Sequence, residues 1–445
     1  MSYSDIRVAF VTLGCAKNEV DTDKMKASLA AASFTLVDDC DEADVIVVNT
    51  CAFLESAVEE GLEVIFDLVE AMEERPDPAK ILVAGCMPAR YGEELSDELT
   101  EVQGFVSVQQ EEHIADAVLS AVGRKPGEET SEARAAPVRN VAGPFAYVKI
   151  SDGCNRFCSY CMIPYIRGRY LSYPEEQILG EVGELVEAGT REIVFIGQDT
   201  GIWGSDFPER SNLAALLGAA AERFPETWFR VLYLQPQGVT DELLDCIASH
   251  DNICRYLDMP LQHASADVLR RMNRRGSGEE YLKTLSHVRE RVPGVATRTT
   301  FMAGFPGETD GELQELLDFV DEARFDYAGV FPYSREEGSA AASFEGQLDE
   351  DVKIERAQAV LDACEAVGCD QVRRHIGTEQ TVLVEGYEAT GAGLEALCRT
   401  QLQAPEVDGQ VHVPISSEDD LPVGSFARVR IVDSFFYELE GELVG

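Results

Sequence analysis

Three cysteines lie close together near the middle of the chain, in the stretch GCNRFCSYC at 153–161. Cys154, Cys158 and Cys161 have the spacing C-x3-C-x2-C, with no fourth cysteine nearby. A structural zinc site takes four ligands, so a set of three suggests a metal group with one position left open. Three thiolates can each hold one iron of a cubane iron–sulfur cluster, which leaves the fourth iron free for a substrate or cofactor. The spacing favours an open [4Fe–4S] cluster over a zinc site or three unrelated core thiols.

A second set of three cysteines is spread over the first hundred residues. Cys15, Cys51 and Cys86 each come directly after an apolar, strand-like run, in TLGC, VNTC and VAGC. The carboxyl ends of parallel strands lie along one edge of a sheet, so these three thiols are expected to converge. The spacing predicts a second cluster with three protein ligands. The alternative is that small residues are simply favoured in tight turns from strand to helix.

The elements around the second set predict an α/β domain over residues 1–123. Apolar runs at 7–14, 43–50 and 79–85 alternate with helix-like segments. Continuous apolar strands between amphipathic helices are typical of a parallel sheet covered on both faces. Residues 124–139 follow and are polar and rich in Pro, Gly and charge, which predicts a linker.

Residues 140–375 repeat a strand and helix pattern six times and end in a long helical stretch. The predicted strands lie at 145–151, 192–199, 228–236, 255–262, 296–304 and 327–334. Six such units predict a partial (β/α)6 barrel, with functional groups at the carboxyl ends of its strands. Residues 376–445 alternate short strands with Gly and Asp turns, which predicts a small antiparallel β-barrel. The fold class is therefore a multidomain α/β protein.

The chain is strongly acidic, with 37 basic and 81 acidic residues and a net charge of −44. Residues 376–445 alone carry thirteen acids and three bases. Phosphate binding needs clustered Lys and Arg, so nucleic acid is an unfavourable partner and a basic protein a favourable one. An acidic host proteome, or a set of solvated helix faces, is the alternative explanation. No leader or membrane-spanning stretch is apparent, and twelve cysteines suggest metal or redox chemistry in a reducing cytoplasm.

Several longer motifs contain these cysteines or lie elsewhere in the predicted domains. They are GCAKNEVDTD (14–23), NTCAFLESAVEE (49–60), GCM (85–87), GCNRFCSYCMIPYIRGR (153–169), PLQHAS (260–265), GFPGET (304–309) and YSREEGSAA (333–341). With these motifs the sequence closely resembles the radical S-adenosylmethionine (SAM) methylthiotransferases over nearly its whole length. The resemblance extends to the C-terminal barrel, which is similar to a TRAM domain.

The resemblance implies two [4Fe–4S] clusters and SAM as cofactors. Cys154, Cys158 and Cys161 would bind the SAM cluster, and Tyr160 would lie near the adenine. Cys15, Cys51 and Cys86 would bind an auxiliary cluster that carries the transferred sulfur. One SAM would methylate that sulfur, and a second would be cleaved to a 5′-deoxyadenosyl radical that removes hydrogen from the substrate carbon.

Within this family the sequence looks more like the ribosomal-protein aspartate methylthiotransferases. Ala16-Lys17-Asn18 and Phe53-Leu54-Glu55 stand where the tRNA-adenosine branch typically has Gln-Met-Asn and an Arg-Glu pair. The implied substrate is the β-carbon of an aspartate in the twelfth, basic protein of the small ribosomal subunit, with flavodoxin or ferredoxin as an electron donor. A tRNA-adenosine enzyme with the same chemistry, and a two-cluster electron carrier, are the alternatives.

Other residues are weaker candidates for contacts with SAM. Gln198 and Asp199 end the second barrel strand, where they could reach polar groups of SAM or cap a turn. Gly304 and Gly307 could let the backbone approach adenine, or form a plain tight turn. Gln262, at the end of a strand, is predicted to face the cavity.

The remaining cysteines have no ligand spacing and are predicted to be buried free thiols. These are Cys40, Cys246, Cys254, Cys364, Cys369 and Cys398. His263 is predicted to be a hydrogen-bonded structural residue.

Overall fold

The computed structural model describes residues 3–73, 75–125, 139, 141, 143–391 and 393–444. The chain forms two compact units. The N-terminal unit comprises Met1–Val141, Asp152–Asn155 and Cys161–Leu171, and the C-terminal unit comprises Ala142–Ser151, Arg156–Tyr160 and Ser172–Gly445. Most of the predicted linker at 124–139 lies outside the described residues.

A five-stranded parallel sheet forms the centre of the N-terminal unit, with the order β2-β1-β3-β4-β5. Its strands are β1 (Arg7–Thr12), β2 (Thr35–Leu36), β3 (Val45–Thr50), β4 (Lys80–Gly85) and β5 (Gly104–Ser107). Every residue of β3 is buried, as a central strand covered on both faces requires. The prediction of a parallel sheet is confirmed. The two edge strands were not predicted, because both are short.

Helices cover both faces of this sheet. They are α1 (Ala16–Ala31), α2 (Glu55–Glu73), α3 (Cys86–Tyr91), α4 (Glu93–Glu98), α5 (Ile114–Ala121) and the single turn α6 (Ile163–Ile166), with 3-10 turns at Cys40–Glu42 and Glu111–His113. Val45 and Val47 pack into one apolar core, whereas Ile46 and Val48 pack into the other. This alternation follows from the two-residue period of a strand. Ile166 of α6 belongs to the second core.

Six parallel strands form the partial barrel of the C-terminal unit, as two three-stranded sheets of order β10-β9-β6 and β11-β12-β13. A parallel bridge between Phe229 and Ile253 joins the sheets. The strands are β6 (Phe145–Lys149), β9 (Glu192–Ile196), β10 (Trp228–Val231), β11 (Tyr256–Asp258), β12 (Ala296–Ala303) and β13 (Tyr327–Pro332). Two-residue strands β7 (Ser151–Asp152) and β8 (Leu171–Ser172) occur between β6 and β9. The predicted partial (β/α)6 barrel is confirmed.

The described residues of the C-terminal unit form seven further helices. They are α7 (Glu175–Glu187), α8 (Leu213–Arg223), α9 (Asp241–Ser249), α10 (Ala266–Arg271), α11 (Gly278–Arg291), α12 (Asp310–Ala323) and α13 (Glu350–Arg373), with 3-10 turns at Thr200–Ile202, Pro236–Gly238, Ala340–Ser343 and Glu418–Asp420. Thr309 and Glu312 form a capping box that fixes the start of α12. Across the described residues, no helix combines the length and apolarity that a membrane span needs.

The last five strands close into a small barrel with the order β14-β15-β16-β18-β17. They are β14 (Glu379–Thr390), β15 (Gly393–Thr400), β16 (Val411–Ile415), β17 (Phe426–Phe435) and β18 (Glu438–Leu443). This C-terminal barrel contacts the amino-terminal ends of the six parallel strands. Arg399 pairs with Glu192 at the start of β9, and Tyr256 at the start of β11 donates to Asp408. The C-terminal barrel therefore lies at the end of the partial barrel opposite to the carboxyl ends of its strands.

Candidate metal centres and cofactor contacts

Strand register brings the ends of β1, β3 and β4 together. Thr50 and Gly85 are paired neighbours, and each directly precedes a cysteine, Cys51 and Cys86. Leu13, just beyond β1, donates its N–H to the carbonyl of Asn49 at 2.9 Å. The three thiols of the second set therefore follow adjacent strand ends, as the sequence predicted.

Two glycines make this approach possible. Gly14 has φ of 104°, and a Cβ at that position would lie 2.7 Å from the Cβ of Cys51. Gly85 has φ of 93°, and a Cβ there would lie 2.2 Å from Oδ1 of Asn49. Any side chain would therefore be both strained and overlapping. This accounts physically for the Gly-Cys pairs in the sequence.

A buried pair of asparagines holds the strand ends in place. Nδ2 of Asn49 donates to the carbonyl of Asn18 at 2.9 Å, and Nδ2 of Asn18 donates to the carbonyl of Thr50 at 3.0 Å. Oδ1 of Asn18 also accepts from Sγ of Cys15 at 3.5 Å. Sequence reasoning assigned no role to either asparagine, although both lie inside the quoted motifs. Together they link the residues before Cys51 to the turn that carries Cys15.

Cys86 differs from its two companions in its surroundings. It is buried, whereas Cys51 is half-buried and Cys15 is exposed. Burial raises the pKa of the Cys86 thiol to about 12, although the guanidinium of Arg167 opposes that shift. Burial likewise raises the pKa of Cys51. Iron binds thiolates, so a metal must displace these protons and its binding is favoured at higher pH.

The three thiols at the strand ends supply the donor chemistry of a cubane cluster. Within the described residues, no three His, Cys, Asp or Glu side chains are grouped so as to hold one metal ion. A cubane differs because each thiolate binds its own iron, so the three sulfurs need not converge on one point. All twelve cysteines are free thiols. The three at the strand ends therefore fit a cluster that binds them through three separate irons.

The first set of cysteines lies on the loop that follows β7. Gly153, with φ of 72°, precedes Cys154, and a Cβ there would lie 2.3 Å from the carbonyl oxygen of Arg169. The N–H of Cys154 donates to the carbonyl of Gly168 at 3.1 Å. This contact ties the first cysteine of the loop to the end of the CMIPYIRGR motif. Cys154, Cys158 and Cys161 are all partly exposed.

An arginine that sequence reasoning did not single out lies beside Cys158 in the C-terminal unit. Nη1 of Arg274 is 3.9 Å from Sγ of Cys158. Its Nη2 donates to Oε1 of Gln235 at 2.7 Å and to the carbonyl of Pro260 at 2.6 Å, which fixes the guanidinium. Burial disfavours the charged form of Arg274, but neighbours that include the buried Tyr160 outweigh this effect and raise its pKa. A fixed positive charge therefore lies beside the second cysteine of the loop.

Gln198 and Asp199 follow β9 and present unsatisfied polar atoms. Among the described residues, neither amide atom of Gln198 has a hydrogen-bond partner, although both are buried. Oδ2 of Asp199 accepts from Nε of Arg156 at 2.7 Å, whereas its Oδ1 has no partner in the same part of the chain. Burial raises the pKa of Asp199, and Arg156 opposes that shift. Buried polar atoms without partners are expected to bind a ligand, so both residues stay candidates for SAM contacts.

The other candidate contacts also lie at carboxyl ends of barrel strands. Gln262 has a left-handed φ of 74° and exchanges backbone hydrogen bonds with Thr300 and Met302 of β12. Strained backbone of this kind is concentrated at functional sites. Gly304 and Gly307 have φ of 78° and 74°, and a Cβ at Gly304 would overlap the side chain of Lys353. The close approach at Gly304 is therefore to α13, and its predicted contact with adenine stays a prediction.

His263 and the remaining cysteines have structural environments. Nδ1 of the buried His263 accepts from the N–H of Ser265, and its Nε2 lies 3.4 Å from Glu308, so the predicted hydrogen bonding is confirmed and the structural role stays a prediction. Three of the other six thiols are buried, and burial raises their pKa values to about 12; these are Cys254, Cys364 and Cys398. The prediction of burial is wrong for three thiols that are only partly covered, namely Cys40, Cys246 and Cys369.

Three family models match successive parts of the chain. Residues 7–107 match the uncharacterized protein family UPF0004, residues 148–320 match the radical SAM superfamily, and residues 376–444 match the TRAM domain.

Whole-length relatives are also found among characterised proteins. The chain is 40% identical to the ribosomal protein uS12 methylthiotransferase RimO of Geobacter sulfurreducens, with all of both chains covered. It is 41% identical to the protein of the same name from Pelotomaculum thermopropionicum, with 99% of each chain covered. The solved structure of TsrM from Kitasatospora setae, a radical SAM methyltransferase with cobalamin and a [4Fe–4S] cluster bound, is similar in fold. The TM-score is 0.56 at 15% identity, over 75% of this chain and 74% of that one.

Proposed function

The chain belongs to the RimO family of radical SAM methylthiotransferases, and we propose that it adds a methylthio group to an aspartate of ribosomal protein uS12. The observation that supports the proposal is that Cys15, Cys51 and Cys86 each follow one of three adjacent strands, in a chain that also holds the C-x3-C-x2-C loop. The loop alone would suffice for SAM cleavage, so the second set of cysteines is the feature that sulfur insertion would require in addition.

The cofactors of this family are SAM and [4Fe–4S] clusters. We propose that Cys154, Cys158 and Cys161 hold the SAM cluster and that Cys15, Cys51 and Cys86 hold the auxiliary cluster. When bound, these groups supply the electron for SAM cleavage and the sulfur to be transferred.

The protein's own residues have orienting roles in this proposal. Arg156 fixes one oxygen of Asp199, so the other oxygen and the amide of Gln198 are left to bind polar groups of SAM. Arg274 holds a positive charge beside Cys158, a proposed ligand of the SAM cluster. The asparagine pair Asn18 and Asn49 keeps the second set of thiols in register.

A basic protein suits the C-terminal barrel better than RNA does. Its three arginines are all engaged with carboxylates: Arg399 with Glu192 and Glu385, and Arg428 and Arg430 with Glu379. Phosphate contacts require available Lys and Arg, whereas ten net negative charges in residues 376–445 attract a partner rich in them.

The position of this barrel indicates how the charge acts. The eight residues of β12 span about 26 Å, so the C-terminal barrel and the carboxyl rim of the partial barrel are separated by several Debye lengths of about 8 Å. The acidic barrel therefore does not act on the reacting aspartate through its field. We propose that it contacts a different part of the substrate.

Two finer proposals follow from the same chemistry. Cleavage of SAM needs an external one-electron reductant, and a flavodoxin or ferredoxin has a suitable potential range. A ribosomal substrate also implies that the enzyme works in the cytoplasm.

The proposal is tested by incubating the anaerobically reconstituted protein with SAM, a reductant and either the ribosomal protein or tRNA. Mass spectrometry is expected to find a methylthio group on one aspartate of the protein substrate and none on tRNA. Methylthiolated adenosine with an unmodified protein would favour the tRNA branch instead. Formation of no 5′-deoxyadenosine with either substrate would reject a radical SAM enzyme and favour an electron carrier.

A further inference from the structure

Arg167 is a buried arginine in the N-terminal unit that contacts a proposed cluster ligand. Its side chain is 3% exposed, and it follows α6 in the CMIPYIRGR motif. Burying a guanidinium is costly unless anions and hydrogen-bond acceptors surround it. The identity of those acceptors therefore indicates what the residue does.

Two carboxylates and one sulfur surround the guanidinium. Nη2 donates to Oδ2 of Asp21 at 2.9 Å and also to Sγ of Cys86 at 3.6 Å. Nη1 donates to Oδ2 of Asp152 at 3.2 Å. The side chain of Asp21 is 2% exposed and that of Asp152 is 22% exposed, so the pair with Asp21 is screened less by solvent.

Asp21 and Cys86 share a single nitrogen of Arg167. That nitrogen carries two hydrogens, one for each acceptor. A neutral side chain at position 21 would leave more of the positive charge for the sulfur, and a neutral side chain at position 167 would remove that charge from beside the sulfur. The two changes therefore alter the positive charge beside the sulfur in opposite directions.

We propose that Arg167 is a positioning residue of the auxiliary site: it donates a charge-assisted hydrogen bond to the Cys86 thiolate and raises the reduction potential of the cluster bound there. The inference rests on the proposed function, in which Cys86 is a cluster ligand. Hydrogen bonds to the sulfurs and local charge are the main means by which a protein sets cluster potentials. Asp21 moderates the effect because its negative charge offsets part of the guanidinium charge beside the sulfur.

Asp152 extends the same network to the SAM-cluster loop. Its Oδ1 accepts from the N–H of Gly153 at 2.9 Å, directly before Cys154. One guanidinium thus contacts a ligand of the auxiliary site and orders the residues that lead into the loop. Asp152 pairs with Nη1, however, and not with the nitrogen that reaches Cys86. It therefore offers a matched control for Asp21.

The test is a potentiometric titration of the full-length, reconstituted protein with dithionite, followed by electron paramagnetic resonance and accompanied by iron analysis. The auxiliary signal is identified as the one that persists in Cys158→Ala. In Arg167→Gln the equilibrium constant for its reduction is expected to fall about tenfold, a shift of about 59 mV. Asp21→Asn is expected to raise the constant several-fold, and Asp152→Asn is expected to change it by a smaller factor.

The shifts in reduction potential expected for Arg167→Gln and Asp21→Asn have opposite signs, whereas damage to the fold would not produce opposite shifts. Shifts of Arg167→Gln and Asp21→Asn in the same direction, or no shift in either at full iron content, would overturn the inference. If Arg167→Gln fails to retain iron, a rise in the constant for Asp21→Asn that exceeds the change for Asp152→Asn supports the inference, and a fall or an equal change overturns it. Failure of the proposed function would look different, because Cys158→Ala would then hold no iron and give no signal.

Discussion

Glu192→Gln tests the ionic network that fixes the C-terminal barrel to the partial barrel. Glu192 is fully buried at the start of β9 and accepts from Nε of Arg230 at 2.7 Å and from Nη2 of Arg399 at 2.6 Å. Glutamine has the same size but no charge. The substitution therefore leaves the guanidinium of Arg399 with the carboxylate of Glu385 and removes the carboxylate that Arg230 contacts.

The expected loss of stability follows from the burial of these charges. Removing one partner of a buried ion pair costs about 3 to 5 kcal/mol. Carbonyls of Gln401 and Gln403 continue to accept from the same two guanidiniums, so we expect the lower value, about 3 kcal/mol. In a unit of this size that corresponds to a fall in Tm of roughly 6 °C.

Thermal unfolding monitored by tryptophan fluorescence measures this loss. Both tryptophans, Trp203 and Trp228, belong to the C-terminal unit, so the signal reports on that unit alone. Glu379→Gln is the matched control, because it removes the same charge from exposed pairs with Arg428 and Arg430. Exposed pairs contribute at most about 1 kcal/mol. Equal shifts in the two variants, or none in Glu192→Gln, would refute the argument.

The stability difference should also depend on pH. Burial disfavours the charged form of Glu192, but the two arginines outweigh it and lower its pKa below the ordinary value of 4.5. A carboxyl with a lowered folded-state pKa stabilises the fold above its unfolded pKa and loses that contribution as pH falls through the folded pKa. The difference in free energy of unfolding between wild type and Glu192→Gln is therefore largest near neutral pH and becomes smaller below about pH 4.5. A gap that widens in acid would contradict this assignment.

Three further predictions concern the proposed sites. Cys158→Ala should retain about half the iron but form no 5′-deoxyadenosine from SAM, because it removes one of the three proposed ligands of the SAM cluster. Chromatography measures the 5′-deoxyadenosine, and its continued formation would reject Cys158 as a ligand of that cluster. Gly85→Ala should lose the auxiliary cluster, about half the iron, because its Cβ would overlap Asn49 at 2.2 Å; full iron content would contradict the packing argument. Raising the salt concentration from about 50 to 200 mM should raise KM for the ribosomal protein several-fold and leave kcat unchanged, because salt screens the attraction between the acidic barrel and the basic substrate. A KM that does not depend on salt would reject that attraction.

Much of the fold could be predicted because its sequence signals are local. Apolar runs at 43–50 and 79–85 correspond to β3 and β4, since central parallel strands are buried on both faces. The cysteines that follow them could be placed at one sheet edge for the same reason. Strands of two to four residues, β2 and β5, carry too few residues for a periodic pattern, so they were missed.

Contacts between distant parts of the chain could not be predicted in the same way. Arg167 and Cys86 are 81 residues apart, and Glu192 and Arg399 are 207 apart. Nothing in the local sequence distinguishes a buried, paired arginine from a solvated one. The only available signal for Arg167 was its place within a quoted motif. For Gln198 and Asp199, position at a strand end suggested a role, and only the structure shows their unsatisfied atoms.

Anaerobic analysis of iron and acid-labile sulfide tests the central claim, two three-cysteine cluster sites, most directly. We expect about eight irons per wild-type chain and about four after replacement of Cys15, Cys51 and Cys86 by alanine, with sulfide falling in parallel. An unchanged iron and sulfide content in that variant would show that the thiols at the strand ends hold no cluster, and would contradict the account.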